Sequence, residues 1–123
     1  MAKIRTAIRS GATLIYKCGL LRKGVGLCHG IAGSVYALLS ASVVLDTSES
    51  SNRQFFIQAV HLAHLATFHR RMTRSKEMRL PDHPWSIYEG LAGMCCAWAE
   101  VLHHLGSQGT PLSSGMPGYD DLI

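Results

Sequence analysis

An all-α fold is predicted, on three observations. Apolar residues recur at helical spacing in segments separated by glycine, proline and polar breaks. No run alternates apolar and polar residues between turn signals, as a half-buried strand would. The motif CHGIAG at 28–33 returns as YEGLAG at 88–93, and each copy opens an apolar run. The last observation makes the fold a stack of helical hairpins, with one apolar inner helix and one amphipathic outer helix per unit.

Residues 3–21, KIRTAIRSGATLIYKCGLL, form a first helix weakened by Gly11. Residues 31–45 form an inner helix, apolar around most of its circumference and therefore buried on all sides. DTSESSN at 46–52 is a polar break in which Ser51 or Asn52 is placed to cap the next helix. Residues 53–70 form that amphipathic helix, with Phe56, Ala59, Val60, Ala63 and Ala66 on one side and Gln54, Gln58 and His61 on another. Residues 71–86 contain Pro81 and Pro84 and are expected to be a loop. Residues 89–105 form a second buried inner helix ended by Gly106, and the tail 106–123 has no periodicity. Gly30 and Gly90 are expected to begin the two inner helices, so the units open near 30 and 90.

With 123 residues the chain holds one domain at most, and 47% hydrophobic against 16% charged residues gives it a core to bury. The net charge of +4 is modest, and much of it comes from HRRMTRSKEMR at 69–79. Without interleaved aromatic residues that segment is expected to be a solvated loop, and nucleic acid is not an expected partner. The four cysteines, Cys18, Cys28, Cys95 and Cys96, include an adjacent pair poorly placed for a mutual disulfide, and no apolar h-region follows the cationic N-terminus. Free thiols in a reducing, cytoplasmic setting are the expectation. The apolar runs are too short for a transmembrane segment, which leaves peripheral membrane contact open.

Chemistry points to GVGLCHGIAG at 24–33. Cys28 and His29 are the two side-chain types zinc prefers, side by side in glycine at a helix start. Adjacent ligands on a regular helix diverge by about 100°, so a bend is required for both to reach one ion. A free cysteine beside a capping histidine fits the spacing equally well. His61 and His64, at i and i+3, fit a polar helix edge, and His69, His83, His103 and His104 fit loops and helix ends. There is no phosphate loop, dinucleotide fingerprint or serine elbow.

GLLRKGVGLCHGIAGSVYALL at 19–39 and RLPDHPWSIYEGLAGMCCAWAEVL at 79–102 resemble successive core segments of the eukaryotic lanthionine synthetase C-like family, and MPGYDDL resembles its usual ending. The resemblance implies an α/α toroid of hairpins around a central zinc. Residues 1–123 would then be the C-terminal portion of such a domain, roughly two of seven units. It implies that Cys28 and His29 are two of three zinc ligands. The third, a cysteine in a Trp-Cys motif, has no counterpart in this sequence, and Cys18 does not stand in that motif. The implied activity is addition of a thiol, from glutathione or a peptide cysteine, to a dehydroamino acid in a peptide or protein. The resemblance also implies that Lys23 and Arg79 stand at glutathione-contacting positions. Two other classes stay open: a truncated, non-catalytic relic that binds partners through an exposed inner face, and a six-hairpin glycosidase, which would need two carboxylates across a cleft. Glu89 and Glu100 are poorly placed for that, since they share one apolar segment.

Overall fold

The computed structural model describes residues 1–46, 52–107 and 115–117. Among these there are five helices and no strand: α1 (Ala2–Cys18), α2 (Ile31–Leu45), α3 (Gln54–Ala66), α4 (His69–Arg74) and α5 (Leu91–Gly106). None is long and apolar enough to cross a membrane.

Helix α2 is the centre and packs against α1, α3 and α5. Its Ile31, Val35, Leu38 and Leu39 are fully buried, but Ser40, Val43 and Val44 are exposed near its C-terminal end, so the helix is not buried on all sides as its apolar circumference suggested. Helices α1 and α3 run antiparallel to α2. The end of α1 lies near Ser34, where a Cβ on Gly19 would meet Ser34 and Leu62. At the other end, the Asp46 carboxylate accepts the Phe55 and Phe56 amides at 3.3 and 3.0 Å. Asp46 therefore satisfies the first turn of α3, a task the sequence suggested for Ser51 or Asn52. Arg53 is the residue at the helix boundary, and Ser51 lies outside the described residues.

Helix α5 is antiparallel to α3 and parallel to α2. The Trp98 indole N–H donates to the Ala63 carbonyl at 2.8 Å, and the Phe56 and His104 rings lie 6.0 Å apart. The arrangement is that of a fragment of an α/α toroid, with α2 and α5 as inner helices and α1 and α3 as outer ones.

The internal repeat is structural. Gly30 and Gly90 cap α2 and α5 with nearly the same backbone, φ −124° and −120°. The Ile31 amide donates to the Gly24 carbonyl and the Leu91 amide to the Pro84 carbonyl, the same bond displaced by one repeat. Helix α1 meets α2 along Ala37, Ala41 and Val44. The corresponding α5 residues, Ala97, Val101 and His104, are buried.

Four expectations need correction. Helix α1 stops at Cys18 rather than 21, because Gly19 has no room for a side chain and the chain turns there. It passes straight through the exposed Gly11. The amphipathic helix ends at Ala66, and 69–74 form the separate short helix α4 where a loop was expected. The Thr67 hydroxyl bonds the His64 carbonyl and starts that break. Helix α5 is not buried on all sides: it buries Gly93, Met94, Ala97, Val101 and His104 as one stripe. The stripe that α2 buries through Val35, Leu39, Ser42 and Leu45 has its counterpart in Cys95, Ala99, Leu102 and Leu105, all exposed. Helix α5 packs mainly against α2 and α3, with the His69 ring of α4 6.3 Å from that of Trp98.

Candidate functional site

The site is built from two loops at the N-terminal ends of the inner helices. Residues 20–30 and 76–90 meet along their length. The Arg79 amide donates to the Arg22 carbonyl at 2.7 Å, and the Cys28 amide to the Tyr88 carbonyl at 2.9 Å. Between these points the chain must bend and come close. Gly24 has φ +140°, a conformation L side chains rarely adopt. A Cβ on Gly26 would overlap the Tyr88 carbonyl and the Glu89 backbone. The glycines of GVGLCHG thus serve a bend and a close approach, the bend that adjacent ligands require.

Cys28 and His29 are exposed beyond this bend, with Sγ and Nδ1 3.4 Å apart. Two ligands of one tetrahedral zinc, at about 2.3 Å for sulfur and about 2.0 Å for nitrogen, are separated by ~3.6 Å. The pair fits two adjacent corners of such a site. Among the described residues no group of three His, Cys, Asp or Glu side chains completes it. Cys18 is exposed at the end of α1 and forms no such group.

A groove of about 430 Å³ opens on the pair. Ile15, Leu21, Leu27 and Tyr36 line it together with Cys28 and His29. No sequence motif marks Tyr36; it lies in α2, and its place beside the pair comes from the fold. Burial pushes its phenol up to about 12, and the nearby Cys96 thiol and Glu100 carboxylate add to the shift. The phenol therefore keeps its proton at neutral pH.

Lys23 and Arg79 do not line this groove. Both are exposed, and the Arg22–Arg79 backbone bond joins the loops that carry them into one rim. Arg22 holds the rim from below: its Nε donates to the Glu77 carbonyl at 3.1 Å and its Nη2 to the Lys76 carbonyl at 3.4 Å. His104, expected at a helix end, is buried with Nε2 3.1 Å from a Glu100 oxygen. Glu89 accepts the His83 amide at 3.3 Å in the other loop, so the two carboxylates do not face one cleft. His61 Nδ1 pairs with the Tyr16 hydroxyl at 2.7 Å, a contact between outer helices.

Comparison with known proteins agrees with this architecture. The family model for lanthionine synthetase C-like protein matches residues 2–106. LanC-like protein GCL1 of Arabidopsis thaliana is 29% identical over 122 residues, which cover 94% of this chain and 24% of that protein. Glutathione S-transferase LANCL1 of Danio rerio is 33% identical over 89 residues, covering 72% of this chain and 20% of that protein. The chain spans about a quarter or less of the length of these relatives. No solved structure matches it. With the helical repeat, the paired glycine caps and the family model in agreement over most of its length, the chain belongs to the lanthionine synthetase C-like family.

Proposed function

We propose that this chain supplies part of a zinc-dependent thiol-addition centre, with glutathione as the thiol and a dehydroamino acid in a peptide or protein as the acceptor. The observation that carries the reading is the 3.4 Å separation of Cys28 Sγ and His29 Nδ1 at a glycine bend. The relative named as a glutathione S-transferase supports the choice of thiol.

Cys28 and His29 would hold the metal through Sγ and Nδ1. Zinc, when bound, lowers the pKa of a coordinated thiol and makes it nucleophilic at neutral pH. The remaining work falls to the protein. Lys23 and Arg79 bring two cations to the rim, where the two carboxylates of glutathione find a complement. Leu21, Leu27 and Ile15 give the groove apolar walls that limit water around the acceptor. Addition to the alkene places negative charge on the acceptor carbonyl, and a proton must then be delivered to the adjacent carbon. Tyr36 lines the same groove and carries an O–H, and we assign the delivery to it on that placement. Its raised value makes it a weak acid that only a strongly basic enolate deprotonates.

The test is zinc content and glutathione addition to a dehydroalanine peptide, measured on this chain and on the chain joined to the upstream repeats of a family relative. Activity in the joined protein that is lost in Cys28→Ala supports the reading. Full activity in that variant removes it. A second reading, a non-catalytic interaction fragment, is favoured by the exposed α5 stripe of Cys95, Ala99, Leu102 and Leu105. It predicts that neither protein turns over.

A further inference from the structure

The chain's positive charge is concentrated on one side of the candidate site. Residues 69–79 together with Arg22 and Lys23 hold seven of the twelve Lys and Arg residues and only one of the eight Asp and Glu residues. The rest of the chain, with five cations and seven acids, is net negative. Arg70, Arg71, Arg74, Lys76 and Arg79 are exposed, and among the described residues none of them forms an ion pair. The acid in the cluster, Glu77, accepts the Ser75 hydroxyl at 2.7 Å.

The segment that carries most of these cations also lines a depression through Met72, Glu77 and Met78. A groove of about 380 Å³ lies between Leu20, Leu21 and Arg22 on one bank and Met72, Glu77 and Met78 on the other. Leu21 also lines the groove that holds Cys28 and His29, so the two grooves adjoin. Beyond the pair stands Tyr88, half-exposed and tied by its carbonyl to Cys28, and Trp85 in the same loop is 73% exposed. The path along the two adjoining grooves therefore has an apolar lining, the cations of 69–79 on the segment beside it, and exposed Trp85 and Tyr88 in the loop bonded to Cys28. Aromatic and cationic side chains of this kind dominate recognition of polypeptides. The Arg22 guanidinium and the Arg79 amide already fix the rim, which lowers the ordering cost of binding.

We propose that this path seats an acidic polypeptide segment, so that the acceptor of the thiol addition is a peptide with carboxylates beside its reacting residue. The proposal rests on the reading of Cys28 and His29 as the reaction centre and adds the class of acceptor to it. The depression is concave and apolar at its base, a shape that an extended chain enters and a bilayer surface does not. Nucleic acid would stack on aromatic faces set among the cations. Here no aromatic residue is interleaved with the cations of 69–79, and Trp85 and Tyr88 come later in the chain.

The experiment is fluorescence anisotropy with a fluorescein-labelled peptide of alternating Glu and Ala around a central Ala, and with its Lys counterpart. Binding of the Glu peptide alone is expected, weakening steeply with added salt. Arg70→Glu, Arg71→Glu and Arg74→Glu combined should weaken it by at least about tenfold. The neutral Gln versions should weaken it less, with helical circular dichroism retained in both. Affinity for the peptide should be the same with and without an excess of a zinc chelator, which separates this proposal from the zinc reading. No binding of the Glu peptide, unchanged affinity in the triple variants, or tighter binding to anionic phosphatidylserine vesicles or duplex RNA would overturn it.

Discussion

Cys28 and Tyr88 occupy the same position in the two copies of the repeat, sixty residues apart, and are hydrogen-bonded to each other, amide to carbonyl, at 2.9 Å. The first copy carries the proposed ligand and the second copy fixes its backbone. The bond forms because Gly26 lets the two loops touch. Gly26→Ala places a methyl group against backbone that has no room to yield. It is expected to cost about 2–4 kcal/mol, as other buried steric lesions do. Gly11→Ala, in an exposed helix interior with open space around it, is expected to gain about 0.5–1 kcal/mol. Urea denaturation of both variants checks the contrast, and a mild effect at Gly26 would contradict the packing.

The isolated 123-residue chain is expected to bind zinc weakly and to show no measurable glutathione addition. Two protein ligands fall short of the three that catalytic zinc sites usually have. Competition against a chromophoric chelator measures the affinity, and a dehydroalanine peptide measures turnover. Tight stoichiometric zinc together with turnover would mean that Cys18 or a second subunit completes the site.

Asp46→Ala is expected to destabilise the fold by about 1–2 kcal/mol, because it removes the acceptor for two amides in the first turn of α3. Asp46→Asn keeps an acceptor oxygen and should recover part of the loss. Thermal melts of the two variants, compared at one pH, decide this.

Alkaline titration should reveal Tyr36. Its folded-state value of about 12 lies above the ordinary 10, so folding favours the protonated phenol. The associated stability is fully present below about pH 10 and is lost as pH rises toward 12. The span corresponds to roughly 2–3 kcal/mol. Denaturation midpoints across this range should fall less steeply in Tyr36→Phe than in the parent, while tyrosinate absorbance shows one late-titrating group disappear.

Much of the fold was legible because it rests on local rules. The apolar circumference of 31–45 gave α2 its bounds, and the glycines at 30 and 90 stand where the inner helices start. The features that escaped depend on neighbours. Helix α1 ends where Gly19 must clear Leu62, a residue of another helix. Helix α4 is too short and too charged for a periodic signal, and Phe68 beside it is exposed. Composition alone made α5 look like α2. The difference between them is which other helices surround each, and that is not written in either segment. At the site, the adjacency of Cys28 and His29 was plain from the chain. That Lys23 and Arg79 stand on the rim and not in the groove depends on a backbone bond between distant loops.

The uncovered stripe of α5 bears on more than solubility. In a stack of repeats, stability is the sum of what each unit holds alone and what it gains from each neighbour. Helix α2 packs against α1, α3 and α5, whereas α5 packs mainly against α2 and α3. The second unit is therefore expected to be the less stable foldon, with amides that exchange before those of α2. Tyr88 belongs to that unit. Each opening withdraws the carbonyl that aligns Cys28, so the fidelity of the ligand pair is set by how firmly the far side of α5 is sealed, a whole helix away from the sulfur.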